Sequence, residues 1–333
     1  MLPRYRCKFI GIMTFLLMLL VTIFIISIGT GFTPLSPGTL FRILIGQGTE
    51  VENLILFRFR MPRMVLSMLV GAGLAVSGCV FQAVTKNELA GPSLLGVNAG
   101  GGFAVLLFTF FASTTTPYGI FALPFVALIG ATVSALLIFM ISFRPGRTTS
   151  TFQLVLVGVA ISSGINALGV IVTVRLSPEQ FRVFNTWMIG SVWGSNWNFV
   201  LALLPWVCII IPFLFMNAKT LNVLRLSDEV AIGLGASLGR QRFGFLMLAV
   251  ALAAACVAIS GAIGFVGLIC PHIARKLISP THQYTIPLSA IIGAVLLSGA
   301  DLISRVVAQP REIPLGIVVA IIGAPYFLYL LMT

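Results

Sequence analysis

Long apolar runs constrain this chain more than any other feature. Stretches of about 17–25 residues, the length a helix needs to cross the hydrocarbon core of a bilayer, recur about ten times. They fall near 9–29, 62–84, 94–113, 120–143, 152–174, 199–216, 243–262, 264–278, 286–305 and 314–332. No water is available in hydrocarbon to satisfy backbone amides and carbonyls, so such a run folds as a helix. The runs are continuous instead of alternating with period two, which argues against a β-barrel. Composition agrees: 59% of residues are apolar and 8% charged, where a soluble domain carries about 25% charged residues. The expected fold is all-α, a polytopic membrane protein of about ten transmembrane helices, with residues 1–333 forming a single domain. The division between the seventh and eighth spans rests on Gly261 and Gly264 breaking one apolar run.

The ends of the runs fix what faces water. Arg4, Arg6 and Lys8 precede Phe9–Ile28. That run is too long for a signal-peptide core and lacks a small-residue cleavage site, so it reads as the first span. With the N-terminus inside, ten spans put both termini in the cytoplasm. Twelve of the twenty Lys and Arg residues then lie inside and eight outside, which obeys the positive-inside rule weakly. The outer eight (Arg42, Arg58, Arg60, Arg63, Arg175, Arg182, Arg305 and Arg311) are all arginine. Arginine suits planar, two-pronged pairing with carboxylates. Net charge is +12, but the basic residues are scattered between spans, which does not suit a nucleic-acid surface. Cys7, Cys79, Cys208, Cys256 and Cys270 show no CxxC spacing and read as small apolar residues.

The longest inner polar stretch is Asn217–Arg242, with Lys219, Arg225, Arg240, Arg242 and the carboxylates Asp228 and Glu229. A short helix is expected at its centre. Ser227 can cap it, Asp228 and Glu229 sit where the dipole favours anions, and Gly235 can end it. Such a segment has no use inside a membrane protein, so it must lie in water as a surface another protein reads. Outside, Ser177-Pro178-Glu179-Gln180 supplies a cap, a proline at the first helical position and a capping-box glutamine. Phe181, Phe184, Trp187 and Met188 follow at helical spacing. This predicts a short helix at the outer surface, where Trp187, Trp193 and Trp197 suit the interface.

Chemistry-bearing motifs are scarce. The sequence has no GxxxxGK[ST], HExxH or GxSxG pattern. No catalytic residue and no metal site is expected. His272 reads as an interface residue and His282 as a loop residue. Asp301 stands out as an ionisable group near a span, a costly placement, and Arg305 four residues on can neutralise it. Glycines are grouped at Gly71, Gly73 and Gly78, at Gly96–Gly102 and at Gly261–Gly267, as close helix approach requires. In the fifth span Gly158, Ser162, Asn166, Gly169 and Thr173 share a face. That face reads as either a packing surface or the weakly polar wall of a translocation path.

Several blocks in order resemble the FecCD family, the membrane subunits of type II ABC importers for iron–siderophore complexes, haem and cobalamin. They are Phe57–Arg63 (FRFRMPR), Gly71–Gly102, Leu226–Gly235 (LSDEVAIGLG), Ser260–Arg275 (SGAIGFVGLICPHIAR), Ala300–Arg305 (ADLISR) and Arg311–Phe327. The resemblance implies a transport subunit in the bacterial plasma membrane that pairs with a second permease subunit, identical or paralogous. It implies two copies of a cytoplasmic ATPase, which bind the ATP and magnesium; no cofactor belongs to this chain. The ATPase coupling residues would be Ser227, Asp228, Glu229, Ala231, Leu234 and Gly235, with serine at 227 where glycine is commoner in the family. An extracytoplasmic solute-binding protein would dock through glutamates on Arg60, Arg63 and Arg305. Ferric siderophores are the expected cargo, with haem or cobalamin the alternative. An ion-coupled secondary transporter is the remote rival, and it would need buried carboxylates or broken helices near the midplane.

Overall fold

Each of the ten apolar runs carries a helix, and several of the polar segments between them hold shorter helices. The computed structural model describes residues 3–31, 33, 35–92, 96–111, 117–142, 151–192, 194–307 and 312–332; among these there is no strand. Arg144, Arg147, Trp193 and Arg311 lie outside the described residues.

In chain order the helices begin with α1 (Pro3–Gly29), α2 (Pro37–Leu44) and α3 (Glu50–Asn53). A π-helical stretch at Leu54–Arg60 then runs directly into α4 (Met61–Thr85). Next come α5 (Val97–Phe111), α6 (Pro117–Ser142), α7 (Thr151–Thr173), α8 (Pro178–Ile189) and α9 (Trp197–Met216). The inner polar stretch carries α10 (Ala218–Leu224) and α11 (Asp228–Gly233). The chain ends with α12 (Leu238–Ser260), α13 (Val266–Leu277), α14 (His282–Val306) and α15 (Leu315–Met332).

Helix α4 is the hub, packed against α9, α12, α13 and α14. Its glycines explain how. A Cβ on Gly71 would overlap the carbonyl of Gly293 in α14, and one on Gly78 would overlap the carbonyl of Gly267 in α13. Backbone therefore meets backbone at two levels of one helix. In lipid, where apolar surface gains little by leaving the solvent, this close packing is what associates helices. Buried Ser77 adds a hydrogen bond across to the Ala249 carbonyl of α12 at 2.7 Å.

Seven of the described helices are long and apolar enough to cross a membrane on their own, whereas Val97–Phe111 and Leu315–Leu330 are shorter. Helix α13 has 12 residues, roughly 18 Å at about 1.5 Å per residue, well short of a hydrocarbon core of about 30 Å. Ten helices nonetheless occupy the ten runs, the shorter ones packed against longer neighbours. The break before α13 falls where the glycines put it. Gly261 (φ +71°) leaves the helix, and Phe265, a non-glycine at φ +65°, re-enters it. Non-helical backbone at membrane depth survives only when protein or a wet cavity surrounds it.

Candidate functional site

Helix α4 joins the two polar ends of the molecule. From Arg63 in its first turn to Lys86 at its C-cap, α4 rises roughly 35 Å at about 1.5 Å per residue, the span of a bilayer core. Arg63 belongs to the outer cluster and Lys86 touches the polar stretch 217–242. The two candidate sites therefore lie at opposite ends of one helix.

At the inner end, the expected helix is present as α11, and Gly235 (φ +82°) ends the segment in the left-handed region that glycine adopts without strain. Ser227 occupies the cap position but makes no side-chain cap hydrogen bond, which corrects the expected capping role. The two carboxylates also differ. Asp228 is turned inward, with Oδ1 at 2.7 Å from Lys86 Nζ and at 2.6 Å from Arg242 Nη2. The hydrogen bonds from Arg242 and Lys86 hold its carboxyl below the usual range, at about 2. Glu229 is exposed. Ala231 is the buried anchor of the turn, while Val230, Ile232 and Leu234 are 51%, 57% and 63% exposed. These apolar side chains form a small exposed patch around one carboxylate, the kind of surface that marks an interaction site.

Helix α10, which the sequence reading did not separate from the rest, fixes this surface to the bundle. Leu221 and Leu224 are buried. Asn222 donates to Gln283 at 2.8 Å and accepts from the His282 backbone amide at 2.9 Å. His282 was expected in a loop; it is buried and begins α14, because Asn222 captures its ring as well as its amide. Lys86 was also missed as a functional residue. It ends α4 at φ +53° and donates to the Leu226 carbonyl as well as to Asp228. The only signal for it was position, a lone inner lysine just past a span.

The outer end differs from expectation. Arg60, Arg63 and Arg305, expected to pair with glutamates of a binding protein, are all largely buried and engaged within the chain. Arg63 Nε donates to Asp301 Oδ1 at 2.8 Å, and its Nη1 reaches Glu312 Oε2 at 2.8 Å. Arg305 pairs with Asp301 Oδ2 at 3.2 Å and donates to Ser27, while Arg60 donates to the carbonyls of Ile28 and Thr33. For Arg63 and Arg305 the cause is Asp301, which is fully buried. A buried carboxylate demands nearby cations, and it draws Arg63 from α4 as well as its helical neighbour Arg305. The exposed arginines of this end include Arg42, Arg58, Arg175 and Arg182. The helix expected after Ser177 is present as α8, with the Ser177–Gln180 capping box formed in both directions.

The fifth-span face is divided. Gly158 is buried and Ser162 packs toward Gly96 of the α5 approach. Asn166, Gly169 and Thr173 line a cavity of about 240 Å³ with Phe103, Phe184 and Met188. A second cavity, about 270 Å³, opens at the α12–α13 break and is lined by Leu74, Asn98, Gly264, Phe265 and Gly267 among others.

Comparison with known proteins agrees with this architecture. The family model described as the FecCD transport family matches residues 18–333. The iron(3+)-hydroxamate import system permease protein FhuG of Bacillus subtilis is 45% identical over 325 residues, covering 96% of both chains. The Fe(3+)-citrate import system permease protein YfmE of Bacillus subtilis is 39% identical over 316 residues, 95% of this chain and 93% of the relative. A solved structure described as an inward-facing conformation of a metal-chelate type ABC transporter superposes with a TM-score of 0.86 at 32% identity, covering 97% of this chain and 99% of that one. The order of the helices and the match along nearly the whole length lead to one conclusion: this chain belongs to the FecCD transport family.

Proposed function

We propose that this chain is the permease subunit of an ABC importer that moves ferric siderophores across the bacterial plasma membrane. It works as one transmembrane domain beside a second permease subunit. Two copies of a separate ATPase bind ATP and magnesium, and a solute-binding protein delivers the cargo. The carrying observation is the opposition of the two polar ends along α4, one offering an open apolar-acidic docking surface and the other a sealed cationic platform. The ferric-hydroxamate and ferric-citrate relatives support the cargo class.

The mechanism follows from the contacts of α11. Closure of two ATPase subunits displaces the surface around Glu229, Val230, Ile232 and Leu234. Asp228 passes the displacement to α4 through Lys86 and to α12 through Arg242. Because α4 also packs on α13 and α14, its tilt changes the packing that flanks the break at Gly261–Phe265. Coupling between distant sites requires such differential packing in two states. The energy never enters this chain chemically. In this reading the stretch 217–242 faces the cytosol with both termini, and binding-protein docking falls on the outer end. There Arg60, Arg63 and Arg305 shape the platform while exposed Arg42 and Arg58 meet the partner's carboxylates. The face of Gly158, Ser162, Asn166, Gly169 and Thr173 contributes to the passage.

A broken helix also suits an ion-coupled transporter. The cavity at the break, however, has no carboxylate among its described lining residues, and so offers a coupling ion no charged ligand among them. Uptake of labelled ferric hydroxamate, haem and cobalamin in a strain lacking this chain tests the proposal. Loss of ferric siderophore uptake alone is the expected result. Loss of cobalamin or haem uptake with siderophore uptake intact overturns the cargo, and uptake that persists without the ATPase overturns the importer.

A further inference from the structure

Behind the coupling helix lies a cavity of about 180 Å³ lined by Gln82, Ala83, Lys86, Glu88, Arg225, Arg275 and His282. It collects three permanent cations, from the end of α4, the α10–α11 connection and α13, against the single carboxylate of Glu88. That carboxylate is a poor neutraliser. It is 51% exposed and lies 3.5 Å from Arg275 Nε, with its other oxygen 3.5 Å from His272 Nδ1. Arg275 itself is largely shielded from solvent, and its Nη2 is buried without a hydrogen-bond partner among the described residues. Arg225 spends one Nη on the Pro280 carbonyl at 2.9 Å. Two guanidiniums and an ammonium thus border a walled, polar space with donors left over.

Buried donors on a cation are costly to leave unpaired, and a guanidinium fork matches an oxyanion in shape as well as charge. Basic pockets between membrane helices at the cytoplasmic face receive anionic head groups for these reasons. We propose that this cavity binds a phosphate oxyanion, held by Arg275 and Arg225 with Lys86 at its mouth. The occupant is inorganic phosphate or the phosphodiester of an anionic lipid, which share this chemistry. Lys86 gives the site a consequence. The same ammonium fastens Asp228 of α11 to α4, so an anion in the cavity competes with Asp228 for it and loosens the link between the coupling helix and the bundle. Only the supply of the ligand depends on this end facing the cytosol; the binding itself does not.

The test uses the purified full chain in a neutral detergent and a zwitterionic buffer, with inorganic phosphate titrated against chloride at constant ionic strength and unfolding followed by tryptophan fluorescence. Phosphate should raise the melting temperature in a saturable way. Arg275→Gln should weaken its apparent affinity about tenfold or more, whereas Arg182→Gln, at the other end of the molecule, should leave it unchanged. Should Arg275→Gln fail to fold, Arg225→Gln gives the same reading from the cavity's edge. In nanodiscs, replacing phosphatidylcholine with phosphatidylglycerol identifies the source. Loss of the phosphate response there shows a lipid head group in the cavity, and its persistence shows free phosphate. A response identical in the wild type and the cavity variants overturns the proposal, as does no stabilisation by either phosphate or phosphatidylglycerol. Because the assay needs neither an ATPase nor cargo, its failure leaves the transport reading untouched.

Discussion

The two ends of α4 use the same chemistry, arginine or lysine against aspartate, to opposite purpose. At the outer end Asp301 is fully buried, and its partners Arg63 and Arg305 are nearly so. At the inner end Asp228 is 43% exposed, with Lys86 31% exposed. A buried pair cannot lose one member without stranding a charge in a medium that cannot solvate it. A half-exposed pair can, because water replaces the partner. The outer cluster therefore locks α1, α4 and α14 together, while the inner one is a link that can be remade during a transport cycle.

Removing the buried carboxylate strains the outer cluster most. Asp301→Ala should cost about 3–5 kcal/mol and strip the detergent-solubilised protein of much of its thermal stability; a variant as stable as the wild type would show that the cluster is not a lock. Next in size is packing at the hub. Gly78→Val should cost about 1–3 kcal/mol or more, read as a lower melting temperature, because its side chain meets the Gly267 carbonyl. Lys86→Met should cost only about 0.2–1 kcal/mol of stability yet reduce uptake per ATP hydrolysed, a split that the outer cluster should never show. Glu229→Arg should leave folding within about 0.5 kcal/mol while uncoupling ATP hydrolysis from uptake in the assembled importer. Retained uptake would remove Glu229 from the docking surface.

The smallest effect is the response to pH. The Asp228 carboxyl is held at about 2 by Arg242 and Lys86. A depressed carboxylate contributes stability that is fully present above its unfolded value of about 3.9 and is lost as pH falls from there through the folded value. Between pH 7 and pH 5 the link to Lys86 should be unchanged, measured as constant coupling between ATPase and transport. A coupling change in that window would assign the control to another group.

Local features of the sequence were carried directly into the structure. The α8 capping box, the helix at 228–233 and its glycine stop, and the break between α12 and α13 each depend on neighbours within a few residues. Contacts across the bundle were not legible. Asp301 was read with Arg305, which is four residues away, and its bond to Arg63 was invisible because the two positions meet only when α4 packs on α14. The same packing buries Arg63 and Arg305 around Asp301, while Arg60 is taken up by the carbonyls of Ile28 and Thr33. Asp228 and Glu229 are adjacent and chemically alike; only the placement of Lys86 and Arg242 separates an anchor from a handle.

Local sequence was enough to make this chain a bundle of membrane helices and to mark the α8 cap, the α11 turn and the break before α13. Hydropathy, capping and the conformational freedom of glycine act over a turn or two and need no knowledge of the fold. Tertiary structure decided which charges are spent and which are offered, because burial and pairing belong to the space between helices, and no residue carries its distance from a partner in its own identity.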